Sequence, residues 1–386
     1  MDPDRALELL GGLTPRTFMR RHWHKAPLLV RQALPGVAAP LAPAALFALA
    51  QKESVESRLV VREGARWRLR HGPLPRRALP PLRQPGWTLL VQGLDLHVPA
   101  AHGLLARFRF VPDARLDDLM VSYASDGGGV GPHLDSYDVF LIQVQGRRRW
   151  RIGRVADDSL QPGQPLKILR RFEPEQEWVV EPGDMLYLPP RWGHDGVAEG
   201  ACMTCSVGFR APVAGELARE VLQRLAEAQE EHPGARYADP GQPATALPAQ
   251  VPAALQRFAR RAVAGALGRA GAVDRALGEV LTEPKPQVWF EGGRGDPGAA
   301  GGVRLDARTR MLVDARHVFV NGESWRAAGR DARLLHTLAH TRRLDARDVS
   351  RLGDSARAVL QDWLEAGWLQ PLQQEGGTGG TDGTGH

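Results

Sequence analysis

Between Trp87 and Arg210 apolar and polar residues alternate over short runs: WTLLVQ, LMVSYA, DVFLIQVQ, RRRWRIG, EWVV, DMLYLP and CMTCSVGF. Glycine and proline turns separate them, and this period-two texture predicts a small antiparallel barrel or double sheet. Upstream, Thr14 to Trp23 reads as a short capped helix and Pro27 to Val30 as a brief strand. His22-Trp23-His24 then marks the helix end, with one aromatic ring in the core. After Pro212 the period lengthens. Leu217, Val221, Leu222 and Leu225 form one helical stripe, stopped at His232-Pro233-Gly234, and Leu255, Phe258, Ala262, Val263 and Leu267 form a second. Such a pair covers an apolar face, either its own or a second subunit's. From Val288 onward, strand-like Met311 to Val313 and Val318 to Val320 precede helices near Leu334 to His340 and Ser355 to Ala366. Strands with two or three short helices resemble a winged helix. From Glu375 a Gly-rich, low-complexity tail closes the chain.

At 386 residues the chain exceeds one ordinary core, so two or three packed units are expected. No apolar run approaches the roughly 18 residues needed to span a bilayer, and the opening MDPDRALELLGG lacks a secretory pattern. The expectation is a cytoplasmic protein with no membrane partner. The two cysteines, Cys202 and Cys205, give no disulfide framework. A net charge of +6 raises nucleic acid as a partner, but only four of 50 basic residues are lysines, a skew that fits genomic base composition as well as phosphate binding.

His133-Leu134-Asp135 puts an imidazole and a carboxylate two residues apart, on one face if the segment is a strand. Alone this is half a metal site and weak evidence. Pro182-Gly183-Asp184 then forms a turn, Met185 to Leu188 a short strand, and Pro189-Pro190 leads out to His194. In a barrel His194 can return beside His133. Two histidines and one carboxylate on one face of a metal leave the opposite face open, which suits non-haem Fe(II), a bidentate ligand and O2. The plainer alternative makes His194 a loop histidine.

The strand from Arg147 to Ile152 places Arg148, Trp150 and Ile152 on one face, and its apolar members mark that face as interior. A buried, unpaired guanidinium is costly, so Arg148 needs an anion, and a bidentate carboxylate is the natural one. The functional reading is the distal carboxylate of 2-oxoglutarate. The structural one pairs Arg148 with an aspartate or packs it on Trp150.

The stretches GGGVGPHLDSYDVFLIQVQGRRRWRIG, EPGDMLYLPPRWGHDG and SVGFRAP strongly resemble the bacterial JmjC-type ribosomal oxygenases, the RoxA type. The likeness runs from about Thr14 into the C-terminal module. It implies an α+β chain: a double-stranded β-helix (JmjC/cupin barrel) over 1–212, a helical dimerisation region over 213–284, a winged-helix domain over 285–372 and a flexible tail over 373–386. His133, Asp135 and His194 match the family's iron ligands, and Arg148 its 2-oxoglutarate anchor. Ser125 and Thr204 or Ser206 match polar positions near the co-substrate. The family implies Fe(II), with 2-oxoglutarate and O2 as co-substrates, a homodimer, and hydroxylation of an arginine β-carbon in a large-subunit ribosomal protein. For that guanidinium, Asp118 offers a planar acceptor and Tyr137 a wall. The plain reading has Asp118 capping a turn and Tyr137 half-buried in packing.

Two rivals remain open at this stage. One keeps the site but demethylates lysine or arginine, so that product mass separates them. The other is a cupin-like sensor that binds metal without turnover, with the winged helix as its output. Cys202-Met203-Thr204-Cys205 has no second metal-ligand pair at zinc spacing and reads as a barrel strand. Gly127 to Gly129 lacks the lysine and helix start of a phosphate loop and lets the chain pass close to the metal. The helix from Asp354 to Glu365 carries one arginine against three acids, so direct nucleic-acid binding is not expected of it.

Overall fold

The computed structural model describes residues 2–230, 233–293 and 301–372. The chain forms two compact units that divide between Ala211 and Pro212.

In the N-terminal unit, α1 (Pro15–Arg21) begins at Thr14, whose hydroxyl accepts the Thr17 N–H at 3.1 Å and satisfies a donor of the first turn. Strand β1 (Leu28–Val30) and helix α2 (Pro43–Leu49) follow. Next come β2 (Ser57–Glu63), β3 (Arg66–His71), β4 (Trp87–Val91), helix α3 (Pro99–Ala106) and β5 (Leu116–Ala124). The unit is completed by β6 (Val139–Arg154), β7 (Gln176–Val180), β8 (Met185–Leu188) and β9 (Trp192–Phe209). They join one antiparallel sheet in the order β1-β8-β6-β9-β5-β4-β2-β3, with β7 also on β6, and the sheet wraps as a double-stranded β-helix.

Two details differ from expectation. The runs DVFLIQVQ and RRRWRIG belong to one strand, β6, and CMTCSVGF is the far end of an 18-residue β9. Glycine does not end these strands; it bends them. At Gly146, in the left-handed region (φ 64), a Cβ would lie 2.3 Å from the Ala201 carbonyl oxygen, so only glycine passes β9 there. The register shifts at this bend, and the interior parity switches with it. Val139 and Leu141 share a core cluster with Trp150 and Ile152, whereas Phe140, Ile142 and Val144 face the other way. That outer face is covered by the N-terminal segment: Phe18 and Trp23 pack against Tyr187 with ring centroids 4.9 and 6.2 Å away. The hairpin β2–β3, read as neither strand nor helix from the sequence pattern, extends the sheet to its edge.

In the C-terminal unit, α4 (Ala214–Glu230), α5 (Ala253–Gly268) and α6 (Ala272–Thr282) precede two three-stranded sheets and helices Gly329–Thr341, Ala346–Ser350 and Asp354–Glu365. Val221 and Leu225 bury against Ala276. Helix α6 packs on the strand His317–Val320: a Cβ at Gly278 would meet the Phe319 ring at 2.4 Å. It thus packs both on α4 and on the strands that follow it. None of α5's side chains is buried, and Leu255, Val263 and Leu267 are exposed. His232 of the expected helix stop, and the tail from Glu375, lie outside the described residues. No helix among the described residues is long and apolar enough to cross a membrane.

Candidate metal centre

His133 and His194 meet as an isolated antiparallel bridge, each backbone N–H donating to the other's carbonyl at 3.0 Å. His133 precedes β6 and His194 lies in β9, so the bend that lets β9 cross the barrel delivers the second imidazole to the first. Asp135 does not continue a strand beyond His133, contrary to the simple strand picture, yet its carboxylate still turns to the same point. One donor atom from each of the three lies within 4.8 Å of the others, and His194 Nε2 is 3.5 Å from Asp135 Oδ2.

The two rings are prepared as ligands. His133 Nδ1 is 2.9 Å from the Gly131 carbonyl oxygen, and His194 Nδ1 is 3.1 Å from that of Trp192. A carbonyl only accepts, so each Nδ1 holds the proton and each Nε2 keeps its lone pair. Burial, then the neighbouring His133, pushes the His194 imidazole down to about 4, against the opposing pull of Asp135 and the Trp192 carbonyl. At neutral pH His194 is therefore uncharged and able to ligate. The donor set suits a divalent transition ion and leaves one face open.

Further into the barrel, Arg148 is 5% exposed, its Nε has no hydrogen-bond partner, and no carboxylate pairs with it among the described residues. Its Nη2 is 3.6 Å from Cys202 Sγ, above a floor of Ala124, Ala198 and Cys202. The Trp150 ring spans the gap, with its centroid 5.7 Å from the Arg148 guanidinium carbon and 5.9 Å from the centre of the His194 ring. Trp150 lies flat because Gly196 opposes it; a Cβ there would come within 2.5 Å of the ring. The inward alternation of Arg148, Trp150 and Ile152 is as the sequence pattern implies.

The other expected residues are placed as follows. Ser125 Oγ accepts the Trp87 N–H at 3.1 Å and donates to the Trp87 carbonyl at 3.3 Å, so its hydroxyl serves the backbone of β4. Thr204 donates to Gln143 Oε1 at 2.8 Å, and Ser206 is buried between Leu141 and Met120 on the neighbouring strands. Asp118 is buried in β5, where its Oδ2 accepts Gln92 Nε2 at 2.9 Å and the Gly93 N–H at 3.0 Å, which includes the turn-capping role. Its other oxygen and the Tyr137 ring both border Gly208, at 3.8 and 3.9 Å from where a Cβ would stand. Tyr137 is 38% exposed. Loss of solvent on its inner side, then Asp135 and Asp118, raises its phenol above the usual range, so it stays protonated. Gly128 and Gly129 do allow a close pass, but to backbone: their Cβ positions fall 2.4 and 2.5 Å from the carbonyls of Trp87 and Gly196. Cys202 and Cys205 are free and buried. The half-buried Gln92 and Gly208, and the buried Asp138 just before β6, carry no sequence signal of their own.

A separate cleft of about 360 Å³, lined by Arg62, Trp67, Arg151, Arg170 and Asp195, lies on the outer side of the same strands. Arg151 and Asp195 pair there across β6 and β9. The metal-site donors do not line it.

A barrel with a His-x-Asp and a returning histidine fits a JmjC domain, and the profile described as JmjC domain matches residues 103–217. The profile described as ROXA-like winged helix matches residues 272–370. The Escherichia coli (strain K12) protein named ribosomal protein uL16 3-hydroxylase is 42% identical over 240 residues, 61% of this chain and 62% of that protein. A Haemophilus influenzae protein named probable ribosomal oxygenase is 40% identical over 205 residues, 52% of this chain and 50% of that one. These alignments thus span between half and two thirds of the curated relatives. The X-ray structure of E. coli YcfD matches with a TM-score of 0.80 at 32% identity, over 93% of this chain and 98% of that one. A structure of YcfD, a ribosomal oxygenase, in complex with cobalt and 2-oxoglutarate matches at 0.75 and 32%, with the same coverage. The chain belongs to the ROXA-type JmjC ribosomal oxygenase family.

Proposed function

We propose that the chain is an Fe(II)- and 2-oxoglutarate-dependent protein hydroxylase that acts on the β-carbon of an arginine in a large-subunit ribosomal protein. The name of the E. coli relative makes uL16 the first substrate to test. The observation that carries this reading is the pairing of two unlike sites in one barrel: three convergent donors at one end, and a buried guanidinium lacking a carboxylate at the other.

On this reading His133, Asp135 and His194 hold iron, and Arg148 receives the distal carboxylate of 2-oxoglutarate in a bidentate pair. Bound iron, with 2-oxoglutarate and O2, supplies oxidative decarboxylation and transfer of one oxygen atom into a C–H bond. The remaining work is the chain's. Trp150 walls the co-substrate between anchor and metal and excludes water from it. Asp118 accepts the substrate guanidinium, while Tyr137, protonated, forms a hydrogen-bonding wall that orients the side chain. Ser125, Thr204 and Ser206 act indirectly, by shaping the interior that the co-substrate enters.

The exposed stripe of α5 fits a subunit interface, so the working form is a homodimer, in the cytoplasm where its substrate is made. The deciding experiment is mass spectrometry of ribosomal proteins from cells with and without the protein, together with purified chain, Fe(II), 2-oxoglutarate and a uL16 peptide. A gain of one oxygen on arginine is expected. Loss of a methyl group would favour the demethylase instead, and identical masses throughout would refute both.

A further inference from the structure

Between His133 and the start of β6 the chain has no regular structure: Asp135 is partly buried, Ser136 and Tyr137 are exposed, and Asp138 is fully buried. A carboxylate buried at the exit of this loop costs more than an apolar side chain of similar volume, unless it is well paired. Asp138 is gripped by His24 of the N-terminal segment and by Tyr187 of β8. Its Oδ1 accepts the Tyr187 hydroxyl at 2.5 Å and the His24 backbone N–H at 3.2 Å, and its Oδ2 lies 3.1 Å from His24 Nε2. The same His24 N–H reaches the Tyr187 oxygen at 3.0 Å. His24 adopts the left-handed conformation (φ 57), which is sparsely populated for a side chain with a Cβ. That conformation brings both its backbone donor and its ring to one carboxylate. From the solvent side Arg115 Nη2 stands 3.4 Å from His24 Nε2.

The two halves of the loop are held by different means. Asp135 sits next to the His133–His194 bridge, and its carbonyl accepts the Arg191 N–H at 3.4 Å. Tyr137 follows the exposed Ser136 and directly precedes the buried Asp138, so the nearest anchored residue on its chain is Asp138. We propose that Asp138, clasped by His24 and Tyr187, is a positioning residue that fixes the loop exit and so keeps Tyr137 against Asp118 and Gly208. This deepens the hydroxylase reading and rests on it for the substrate that Tyr137 orients.

The test uses the full chain with Asp138→Asn, His24→Gly or Tyr187→Phe. Glycine at 24 keeps the backbone donor and the left-handed turn and removes only the ring. Amide hydrogen exchange at residue 24, whose N–H is held by Asp138 and Tyr187, should rise about tenfold in Asp138→Asn, with Phe140 and Ile142 in β6 unchanged. Mn(II), used as a metal probe, should bind within about twofold of wild type, because Asp135 has its own support. The peptide KM should rise about tenfold while kcat changes little, and His24→Gly should show a smaller part of both effects. Wild-type exchange and KM in a folded Asp138→Asn would overturn the proposal, as would loss of Mn(II) binding as complete as in Asp135→Ala. If Asp138→Asn does not fold, His24→Gly and Tyr187→Phe give the same exchange readout and decide it. Absence of peptide hydroxylation by the wild-type chain strikes the hydroxylase reading, and the exchange measurement still decides the clasp.

Discussion

His133 and His194 are joined by backbone, each N–H on the other's carbonyl at 3.0 Å, before any metal is considered. The ligands' side chains are therefore separable from the fold. His133→Ala and Asp135→Ala should retain the folded barrel and lose metal-dependent turnover of 2-oxoglutarate, since two remaining donors hold Fe(II) too weakly. Circular dichroism with succinate production checks this. Normal turnover by both folded variants would remove the proposed triad.

Arg148→Ala should chiefly weaken 2-oxoglutarate. Two charge-assisted hydrogen bonds at about 1.5 to 3 kcal/mol each correspond to roughly a hundredfold or more in the apparent constant. In the absence of co-substrate the variant should be no less stable than wild type, because the arginine it removes is a buried charge with no carboxylate partner. Titration calorimetry and thermal melts measure both effects. Unchanged 2-oxoglutarate affinity would reject the anchor.

Asp184 opens β8, and burial alone would raise its carboxyl. The N–H groups of Gln32 and Glu181, at 3.0 and 3.1 Å, and Arg31 at 2.6 Å outweigh that and hold it below the ordinary 3.8. As pH falls, the unfolded chain takes up this proton first. The stabilisation is thus present above about pH 4 and fades as pH falls through the lower, folded value. Asp184→Asn should lose stability at neutral pH and show a shallower acid transition. Denaturant melts at about pH 7 and pH 3 test it; an equal deficit at both would contradict the assignment.

The convergence of His133, Asp135 and His194 was legible only once the turn and strand before His194 were added to a motif that is weak alone, and the inward side of Arg148 because period two survives on one side of a bend. The parity switch at Gly146 was not legible, since a bulge depends on what opposes it; the Ala201 carbonyl is 55 positions away. The β2–β3 hairpin was missed although Trp67 and Leu69 alternate with Arg66, Arg68 and Arg70, because an edge strand with only two half-buried apolar side chains among arginines stands out little from a polar loop. Asp138 and His24 meet only in three dimensions, 114 positions apart, and one sequence gives no reason to pair them.

The substrate pocket supplies the most exposed prediction. Gly208 lies in β9 directly across from Asp118 in β5 and Val139 in β6, and a Cβ there would sit 3.8 Å from Asp118 Oδ1 and 3.9 Å from Tyr137. Those are ordinary contacts, and Gly208 is not in the left-handed region, so Gly208→Ala should fold and keep much of its activity. Gly208→Leu would place its side chain between acceptor and wall, where the guanidinium is proposed to enter. It should abolish peptide hydroxylation while leaving uncoupled 2-oxoglutarate decarboxylation, whose residues lie elsewhere in the barrel. Asp118→Ala should give the same split for a different reason, because a substrate cation left unpaired there costs about 3 to 5 kcal/mol. It also frees Gln92 and the Gly93 N–H, so its stability should fall, whereas that of Gly208→Ala should not. Parallel measurement of succinate and hydroxylated peptide separates the outcomes. A Gly208→Leu protein that hydroxylates the peptide at the wild-type rate would place the guanidinium elsewhere.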